Sequence, residues 1–457
     1  MFGRPLRVAI VGAGPAGFYA AEHLQKRAPE GAEIDMYDRL ATPYGLVRGG
    51  VAPDHQKIKS VTKIYERIAA QPGFRYYGAV ELGRDVSIDE LRHHYDAVLV
   101  SVGAPNDRAM GIPGEDLAGS LSATHFVAWY NGHPDAVGLE VDLSVSDVVV
   151  VGNGNVAVDV ARILVTDPDV LATTDIADHA LAALRQSAVR TVTMLGRRGP
   201  AQAAFTSKEL RELGELDGVT LVVDPADLAA ASDRVGDDED ARRVLDALAQ
   251  VAGRTPTAGD RVITLRFLTS PSAIAGSQRV EAVDTVANAL VADGTGTLRA
   301  VATDQTDQIP AGLVLRAVGY LGAPVPGLPF DERRGTIPND HGRVLESPDG
   351  APLGGVYVAG WIKRGPQGVI GTNKADAGES VEALLGDLDG GALASAPEPG
   401  AEVIDALIRS RVTPIGWDGW LAIDAAERAA GATQGRPRVK IVDTAAMRAI
   451  ADDRAGR

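Results

Sequence analysis

The stretch that decides the fold is LRVAIVGAGPAGFYAAEHLQKRAPEGAEIDMYD, residues 6–38. Leu6 to Val11 is an apolar run that predicts a buried parallel strand. It passes directly into a glycine-rich loop with the pattern G-x-G-x-x-G, and a helix is predicted from Phe18 to Arg27. A second strand, from Glu33 to Tyr37, ends at Asp38. Strand, loop, helix and strand together predict a βαβ unit that binds a dinucleotide.

Each glycine of this loop has a separate predicted task. Gly12 makes the tight turn, Gly14 lets the backbone approach a pyrophosphate, and Gly17 lets the helix pack closely on the strand. The helix N-terminus favours the negative charge of the phosphates. Asp38 stands where an acid can accept hydrogen bonds from the adenosine ribose.

A second loop repeats the pattern in the middle of the chain. The strand predicted at 147–151 runs into Gly152-Asn153-Gly154-Asn155-Val156-Ala157, a G-x-G-x-x-A variant, and a helix is predicted from Val156 to Val165. After that helix, residues 166–186 are rich in Asp and Ala, which indicates an inserted surface segment. Two such loops in one chain predict two dinucleotide sites.

The second site differs from the first in its charge. The strand predicted at 191–195 is followed by Arg197 and Arg198, where an NAD site would carry an acid. Guanidinium groups favour a 2′-phosphate by charge and by bidentate hydrogen bonding. The second site is therefore predicted to bind NADP(H) rather than NAD(H).

Composition narrows the chemistry. The chain of 457 residues has no cysteine, which excludes thiol pairs, disulfides and cysteine-bound clusters. Redox chemistry would then rest on an organic cofactor, and FAD is the simplest dinucleotide for the first loop. The net charge of -16 argues against a nucleic-acid or membrane partner. No apolar stretch approaches the roughly 20 residues of a membrane span, and no signal peptide is evident, so a cytoplasmic location is expected.

Three longer blocks resemble adrenodoxin reductase and the related actinobacterial NADPH–ferredoxin reductases. They are residues 42–55, TPYGLVRGGVAPDH; residues 152–162, GNGNVAVDVAR; and residues 360–372, GWIKRGPQGVIGT. With the first loop they extend the resemblance from Leu6 to about Leu385. Gly360-Trp361 matches this family where many other flavoproteins with two dinucleotides have Gly-Asp.

The resemblance implies an α/β fold with two doubly wound, Rossmann-like domains. We expect the FAD domain to comprise residues 1–108 and 325–457 and the NADP domain, inserted in it, to comprise residues 109–324. Within residues 360–385, a helix is predicted to open at Gly368 and to direct its N-terminus at the flavin or a phosphate.

The resemblance also implies roles for individual residues. The expected FAD contacts are Ala16, Asp38, Leu46, Leu82, Trp361, Gly368, Val369 and Ile370. The expected NADP contacts are Asn153, Gly154, Asn155, Val156, Arg197, Arg198 and Glu209, with Gly368 at the nicotinamide end. Asp38 replaces the glutamate that is usual in the family. His55 and Asp159 are the candidate catalytic residues, each with a purely structural role as the alternative, and no metal site is expected.

The expected activity is that of an NADPH–ferredoxin oxidoreductase. A hydride would pass from NADPH to FAD, and single electrons would then pass to a ferredoxin-type iron–sulfur protein. A basic docking face for an acidic ferredoxin would draw on a set of candidate cations: Lys208, Arg211, Arg242, Arg243, Lys363 and Arg364.

Two alternatives remain open at this point. The chain could be a flavin-linked subunit that donates electrons to another enzyme, such as the small subunit of glutamate synthase. That protein type carries an N-terminal cysteine-rich region, which this sequence lacks. The chain could also be a non-enzymatic redox sensor, which would bind both nucleotides with negligible turnover.

Overall fold

Two separate parallel sheets carry the two glycine-rich loops. The computed structural model describes residues 2–232, 238–295 and 297–455. Its strands are β1 (Leu6–Val11), β2 (Ala32–Asp38), β3 (Phe74–Gly78), β4 (Ala97–Val100), β5 (Asn106–Asp107), β6 (Ser120–Ser122), β7 (Asp147–Val151), β8 (Thr191–Leu195), β9 (Val219–Val223), β10 (Arg261–Arg266), β11 (Thr269–Ala275), β12 (Ala282–Ala292), β13 (Leu298–Pro310), β14 (Leu313–Arg316), β15 (Tyr320–Leu321), β16 (Asn339–Asp340), β17 (Arg343–Leu345) and β18 (Pro352–Val358).

The helices follow the strands in the alternation that parallel sheets require. They are α1 (Pro15–Arg27), α2 (Leu46–Gly49), α3 (Gln56–Lys59), α4 (Thr62–Ala69), α5 (Ile88–His94), α6 (Ala123–Tyr130), α7 (Asn155–Val165), α8 (Pro168–Leu171), α9 (Asp178–Arg185), α10 (Ser207–Gly214), α11 (Pro225–Ser232), α12 (Glu239–Ala249), α13 (Trp361–Arg364), α14 (Thr372–Asp389), α15 (Ala401–Arg409), α16 (Trp417–Ala432) and α17 (Thr444–Ala455). Short 3-10 turns lie at Pro134–Ala136 and Pro200–Gln202. No described helix is both long and apolar enough to cross a membrane.

The first sheet has seven strands in the order β16-β17-β18-β4-β1-β2-β3. Its five strands from β18 to β3 are parallel, and β16 and β17 are antiparallel. Strand β1 lies between β2 and β4, so the first glycine-rich loop leaves the sheet where the strand order reverses. Ligands of doubly wound sheets bind at that position.

The second sheet has six strands in the order β6-β14-β7-β8-β10-β9, and every neighbouring pair is parallel. Strand β7 carries the second glycine-rich loop and lies between β14 and β8, which is again the point where the order reverses. The two Rossmann-like units predicted from the sequence are confirmed. A third, antiparallel sheet of β11, β12 and β13 was not predicted.

The central strands are apolar because both faces of each sheet are covered: helices cover the first sheet and one face of the second, and the antiparallel sheet β11–β13 packs on the other face of the second. Val8, Ile10, Val149 and Val150 are fully buried. Burying a side chain of this size stabilises the fold by about 1.5–3 kcal/mol. A parallel strand covered on both sides therefore has a continuous apolar sequence instead of an alternating one.

The chain passes between the two sheets at two places that lie side by side. Strand β5 pairs with β15, with Tyr320 opposite Asp107 and Leu321 opposite Asn106. All six strands of the second sheet fall between these two crossings in the sequence. This arrangement supports an insertion, while the boundaries expected at 108/109 and 324/325 stay a prediction.

Two local predictions were wrong. Residues 166–186 do not form a surface segment: they contain α8 and α9, and Leu171 and Ile176 are fully buried. The high content of Asp and Ala concealed apolar residues at a spacing that packs against the second sheet's helices. The helix expected to open at Gly368 begins instead at Thr372.

The glycines of the first loop give a test of the packing. A Cβ atom at Gly17 would lie 2.2 Å from the carbonyl oxygen of Gly12, whereas a Cβ at Gly14 would meet no atom within 4 Å. Gly17→Ala should therefore destabilise the FAD-free protein by about 1–3 kcal/mol, because α1 can no longer pack closely on the loop. Denaturant unfolding of the FAD-free protein measures this difference.

Gly14→Ala is the matched control. Its unfolding free energy should stay within about 1 kcal/mol of the parent, because the added methyl group enters open space. Equal destabilisation by both substitutions would contradict the assignment of Gly17 to helix packing.

Candidate active site

The first loop leaves open space where a dinucleotide backbone would approach. Gly12 and Gly17 are closed off by the protein's own atoms: a Cβ would lie 2.5 Å from the Ser101 carbonyl oxygen at Gly12, and 2.2 Å from the Gly12 oxygen at Gly17. Gly14 faces no protein atom within 4 Å. This is the division of tasks that the sequence predicts, and the open side of Gly14 fits a pyrophosphate.

Asp38 lies at the end of β2 and fastens this loop. One carboxylate oxygen accepts a hydrogen bond from the Ala13 amide at 2.8 Å, and the other accepts one from the Leu40 amide at 2.9 Å. Burial raises the pKa of Asp38, and the two backbone hydrogen bonds partly oppose that rise. The contact with a ribose remains a prediction. Asp38 is shorter than the glutamate usual in the family, and both of its oxygens already accept hydrogen bonds from the backbone.

Two further segments lie beside the first loop. A Cβ at Gly45 would lie 3.1 Å from the Gly14 Cα, so the exposed Leu46, which begins α2, stands next to the loop. A Cβ at Gly360 would lie 2.8 Å from the Cβ of Ala16, so the end of β18 abuts α1. The structure thus brings together three of the segments predicted to contact FAD. Leu82 instead packs partly buried against a core cluster.

The segment after Gly360 presents the remaining predicted FAD residues. The Gly360 amide donates to Asp376 at 2.5 Å, and the Trp361 ring lies 5.2 Å from that of Tyr320. Gly368 and Val369 are exposed, and Val369 has 68% of its surface accessible. Ile370 is half-buried against the core of the first sheet. An apolar side chain as exposed as Val369 is available to a ligand.

The second loop shows the same division. A Cβ at Gly152 would lie 2.4 Å from the Ala317 carbonyl oxygen, but at Gly154 the nearest atom is the Ala204 Cβ at 3.9 Å. The side-chain amide nitrogen of Asn153 is buried and has no hydrogen-bond partner among the described residues. A buried donor without a partner fits a ligand that accepts its hydrogen bond.

Asn155 and Val156 have structural contacts as well. The side-chain oxygen of Asn155 accepts a hydrogen bond from the Thr206 amide at 3.0 Å. This contact fixes the start of α10, the helix that carries Glu209 and Glu212. Val156 is half-buried against the core of the second sheet.

Arg197 and Arg198 have a fixed backbone and free guanidinium groups. Asn288 donates to the Arg197 carbonyl at 2.9 Å, and the Leu268 amide donates to that of Arg198 at 3.1 Å. Both residues are exposed, and neither guanidinium has a hydrogen bond or ion pair within the described ranges. Two unpaired cations on an ordered turn beside the second loop suit a 2′-phosphate.

A cluster of charged residues joins the two halves of the site. Arg162, on α7, is 3% exposed at its side chain and donates to both oxygens of Asp54 at 2.7 and 3.0 Å. The same guanidinium lies 2.8 Å from Asp159 and 3.7 Å from Glu209. Arg162 therefore ties the segment that follows α2 to the helix of the second loop.

His55 faces the acids of α10. Its Nε2 atom lies 3.3 Å from a carboxylate oxygen of Glu212 and 3.7 Å from one of Glu209. That Glu209 oxygen is buried and has no hydrogen-bond partner among the described residues. Burial raises the pKa of Asp159, while Arg162 and His55 lower it. The two predicted catalytic residues thus belong to one electrostatic network.

Three of these groups are close enough to hold a metal ion. Ligand atoms of His55, Glu209 and Glu212 all lie within 4.8 Å of one another. The guanidinium of Arg162 is near the same Glu209 oxygen and would repel a cation there.

The cations predicted to form a docking face differ in their burial and in their ion pairs. The prediction that Lys363 belongs to a docking face was wrong. The side chain is buried, and its ammonium group donates to Glu379 and Ser380 at 2.6 and 3.0 Å. It sits at the base of α14 because that helix supplies oxygen acceptors for a buried ammonium. Arg364 is half-buried, Lys208 and Arg243 already pair with acids, and Arg211 and Arg242 are exposed.

The chain is similar to known oxidoreductases over nearly all of its length. Residues 6–225 match the pyridine nucleotide-disulphide oxidoreductase family. The chain is 50% identical to NADPH-ferredoxin reductase FprA of Mycobacterium tuberculosis, over 97% of this chain and 98% of that protein. It is 44% identical to the mitochondrial NADPH:adrenodoxin oxidoreductase of Mus musculus, over 96% of this chain and 90% of the mouse protein.

The chain belongs to the NADPH–ferredoxin reductase family. The solved structure of Mycobacterium tuberculosis FprA in complex with NADPH superposes with a TM-score of 0.93 at 48% identity, over 98% of this chain and all of that one. The protein is an FAD-dependent oxidoreductase that uses NADP(H). Open space at Gly14 and Gly154, the unpartnered Asn153 amide and the two free arginines fit these cofactors.

The sequence patterns did not identify Arg162, Asp54 and Glu212 as residues of the site. Arg162 and Asp54 lie inside blocks quoted for their resemblance, but no spacing rule pairs residues 108 positions apart. Glu212 follows Glu209 by three positions on α10, so the two share a face of that helix. That spacing was the available signal for Glu212.

Removal of the two free arginines tests the NADP site. Arg197→Ala combined with Arg198→Ala should weaken NADPH binding by about 1.5–3 kcal/mol for each charged hydrogen bond lost, and should leave NADH binding nearly unchanged. Equilibrium titration with each nucleotide measures the difference. Equal loss of affinity for both nucleotides would refute a 2′-phosphate contact.

The raised pKa of Asp159 predicts a pH dependence. Because burial favours the neutral carboxyl group, Asp159 should protonate above the ordinary value of about 3.9 as the pH falls. The rate of flavin reduction by NADPH should then change in mildly acidic solution. Asp159→Asn should remove that limb of the pH profile in rapid-mixing experiments, and a limb that persists unchanged would exclude Asp159 as its origin.

Proposed function

We propose that this protein transfers electrons from NADPH to a ferredoxin-type iron–sulfur protein. When bound at the first loop, FAD would accept a hydride from NADPH and release electrons one at a time to the partner. The observation that carries the proposal is the pair of open loops joined by the Arg162 cluster. The names of the mouse and mycobacterial relatives support the same assignment.

The residues of the second loop and its arginines would bind and orient NADPH. Asn153 would donate its unpartnered amide hydrogen, and Arg197 and Arg198 would hold the 2′-phosphate. Fixed backbone hydrogen bonds at both arginines reduce the entropy cost of that contact. We propose that Gly368 and Val369 border the nicotinamide end of the site.

The residues of the first loop and its neighbours would hold FAD. Gly14 would face the pyrophosphate, and Leu46, Trp361 and Val369 would cover apolar parts of the cofactor. Ala16 and Ile370 would complete the wall beside α1. Leu82, which the resemblance also assigns to the FAD site, packs partly buried against a core cluster.

We propose that His55 and Asp159 govern protons near the reacting groups. Each belongs to the network around Arg162 and Glu209, so a charge change at one alters the other. Neither residue needs to bond covalently with a substrate. Their task would be to hold the local charge constant while electrons enter and leave.

We also propose the domain limits and the setting of the reaction. The FAD domain would comprise residues 1–108 and 325–457, with residues 109–324 forming the NADP domain, because the two crossings pair as β5 and β15.

The acidic chain would receive an acidic ferredoxin through a local basic face that includes the exposed Arg211 and Arg242. A cytoplasmic location suits an NADPH-dependent reaction.

A coupled assay tests this function directly. The FAD-loaded protein and NADPH should reduce cytochrome c slowly alone and much faster when a ferredoxin is added, because the ferredoxin carries single electrons between them. The rate should fall as salt is raised from low to physiological ionic strength, since exposed charges are screened over roughly 8–10 Å. A rate that does not respond to any ferredoxin would defeat the proposal.

Matched variants separate docking from nucleotide binding. Arg211→Gln should lower the ferredoxin-dependent rate but leave direct reduction of the flavin by NADPH unchanged. Arg185→Gln removes an exposed arginine that is paired with Asp169 and should change neither rate. A loss of direct flavin reduction in Arg211→Gln would assign that residue to the nucleotide site instead.

A further inference from the structure

A basic cavity lies beside the segment that carries Leu46, and none of its lining residues is assigned to either dinucleotide. Its volume is about 250 Å3. It is bordered by α2, α3 and α4 on one side, by α16 and the segment between α16 and α17 on another, and by Asp175, which precedes α9. The cavity therefore lies where the part of the chain around the first sheet meets the part around the second.

The lining is strongly cationic in an acidic protein. Six of its residues carry a positive charge and only Asp175 carries a negative one, whereas the whole chain has a net charge of -16. The cations are Arg48, Lys59, Lys63, Arg428, Arg438 and Lys440. Concentration of one sign of charge in a concave site attracts a ligand of the opposite sign.

Two buried ammonium groups share the single lining carboxylate. Lys59 donates to both oxygens of Asp175 at 2.7 and 2.9 Å, and Lys440 lies 3.6 Å from the same carboxylate. Their side chains are 9% and 1% exposed. Lys440 also donates to the side-chain oxygen of Asn131 at 2.9 Å, which is a neutral acceptor. One positive charge in this buried group has no carboxylate of its own.

The pKa values of Lys440 and Lys59 reflect their burial beside other cations. Burial lowers the pKa of Lys440 well below its usual value. The carboxylates of Asp175 and Glu427 oppose this, and the neighbouring cations Lys59 and Arg48 lower the pKa further. Burial likewise lowers the pKa of Lys59. An additional negative charge in the cavity would favour the charged form of both ammonium groups.

The remaining cations offer donors around the rim. Arg48 and Arg438 both donate to Glu427, and Arg428 pairs with Asp424 at 2.6 Å. Lys63 is exposed, and its ammonium group has no hydrogen bond or ion pair in the described part of the chain. Lys63 is thus free to close over a ligand that reaches the cavity from solvent.

We propose that this cavity binds a small phosphate-class oxyanion. Phosphate oxygens accept hydrogen bonds from both lysine and arginine, and several cations around one point favour a multivalent anion over a single carboxylate. The volume admits inorganic phosphate, pyrophosphate or the phosphate of a small ester, and it is too small for a macromolecule. The bound anion would accept hydrogen bonds from the lysine and arginine donors that line the cavity.

Calorimetric titration of the full-length, FAD-loaded protein tests the proposal. In phosphate-free buffer the protein is titrated separately with inorganic phosphate, pyrophosphate and glycerol 3-phosphate. At least one of them should bind with saturable heat. The tightest of the three identifies the source of the oxyanion as a free ion or an ester, and any of these results supports the site.

Rim variants locate the bound ion. Lys63→Gln combined with Arg428→Gln should weaken binding by about tenfold, because two charged donors are lost. Both side chains are exposed, so the fold should tolerate their replacement. Lys57→Gln removes one positive charge from α3 at an exposed residue that does not line the cavity, and it should leave the affinity unchanged.

The nucleotide site provides the opposing control. Arg197→Ala with Arg198→Ala should retain the binding of the oxyanion, since neither residue lines the cavity. Loss of binding in that variant, with full binding in the rim variant, would place the ion at the NADP site and overturn the proposal. Absence of saturable heat with all three oxyanions would overturn it as well.

Discussion

The ion pair between Arg162 and Asp54 is the constraint on which the active site depends. Arg162 belongs to the helix of the second loop, and Asp54 belongs to the segment that follows the first βαβ unit. A buried guanidinium without its carboxylate would cost several kcal/mol, so the two units are held in one arrangement. Asp159 and Glu209 share the same guanidinium, so the charge states of these groups are coupled.

The two halves of the site use one loop design for different ligands. In both loops the first glycine is closed off by a neighbouring carbonyl, while the middle glycine faces open space. The difference arises one strand later. Asp38 turns inward to hold its own loop, whereas Arg197 and Arg198 point outward as free cations. One backbone design would thus serve FAD and NADP(H), with the charge at the next strand end suited to a free ribose in the first loop and to a 2′-phosphate in the second.

Much of this could be predicted from the sequence because the relevant signals are local. Strand, glycines and helix follow one another within residues 6–38, and the paired arginines come directly after a strand. The burial of residues 166–186, the ion pair of Arg162 with Asp54 and the basic cavity depend on contacts between distant parts of the chain. Lys363 shows the same limit: its sequence neighbours suggest a surface cation, but α14 surrounds it with acceptors. Composition and periodicity predict a helix or strand, but tertiary contacts determine which of its charged side chains stay unpaired.

The most direct test of this account is a double-mutant cycle on Arg162 and Asp54, with the rate of flavin reduction by NADPH as the readout. Arg162→Met and Asp54→Asn should each slow the reduction by at least about tenfold while FAD content stays unchanged, because the two nucleotides lose their common support. The double variant should be little slower than either single variant, since both remove the same interaction. Two results would contradict the claim that this ion pair holds the two nucleotide sites together. One is flavin reduction at the parent rate in the single variants, and the other is a double variant whose loss of rate equals the combined losses of the single variants.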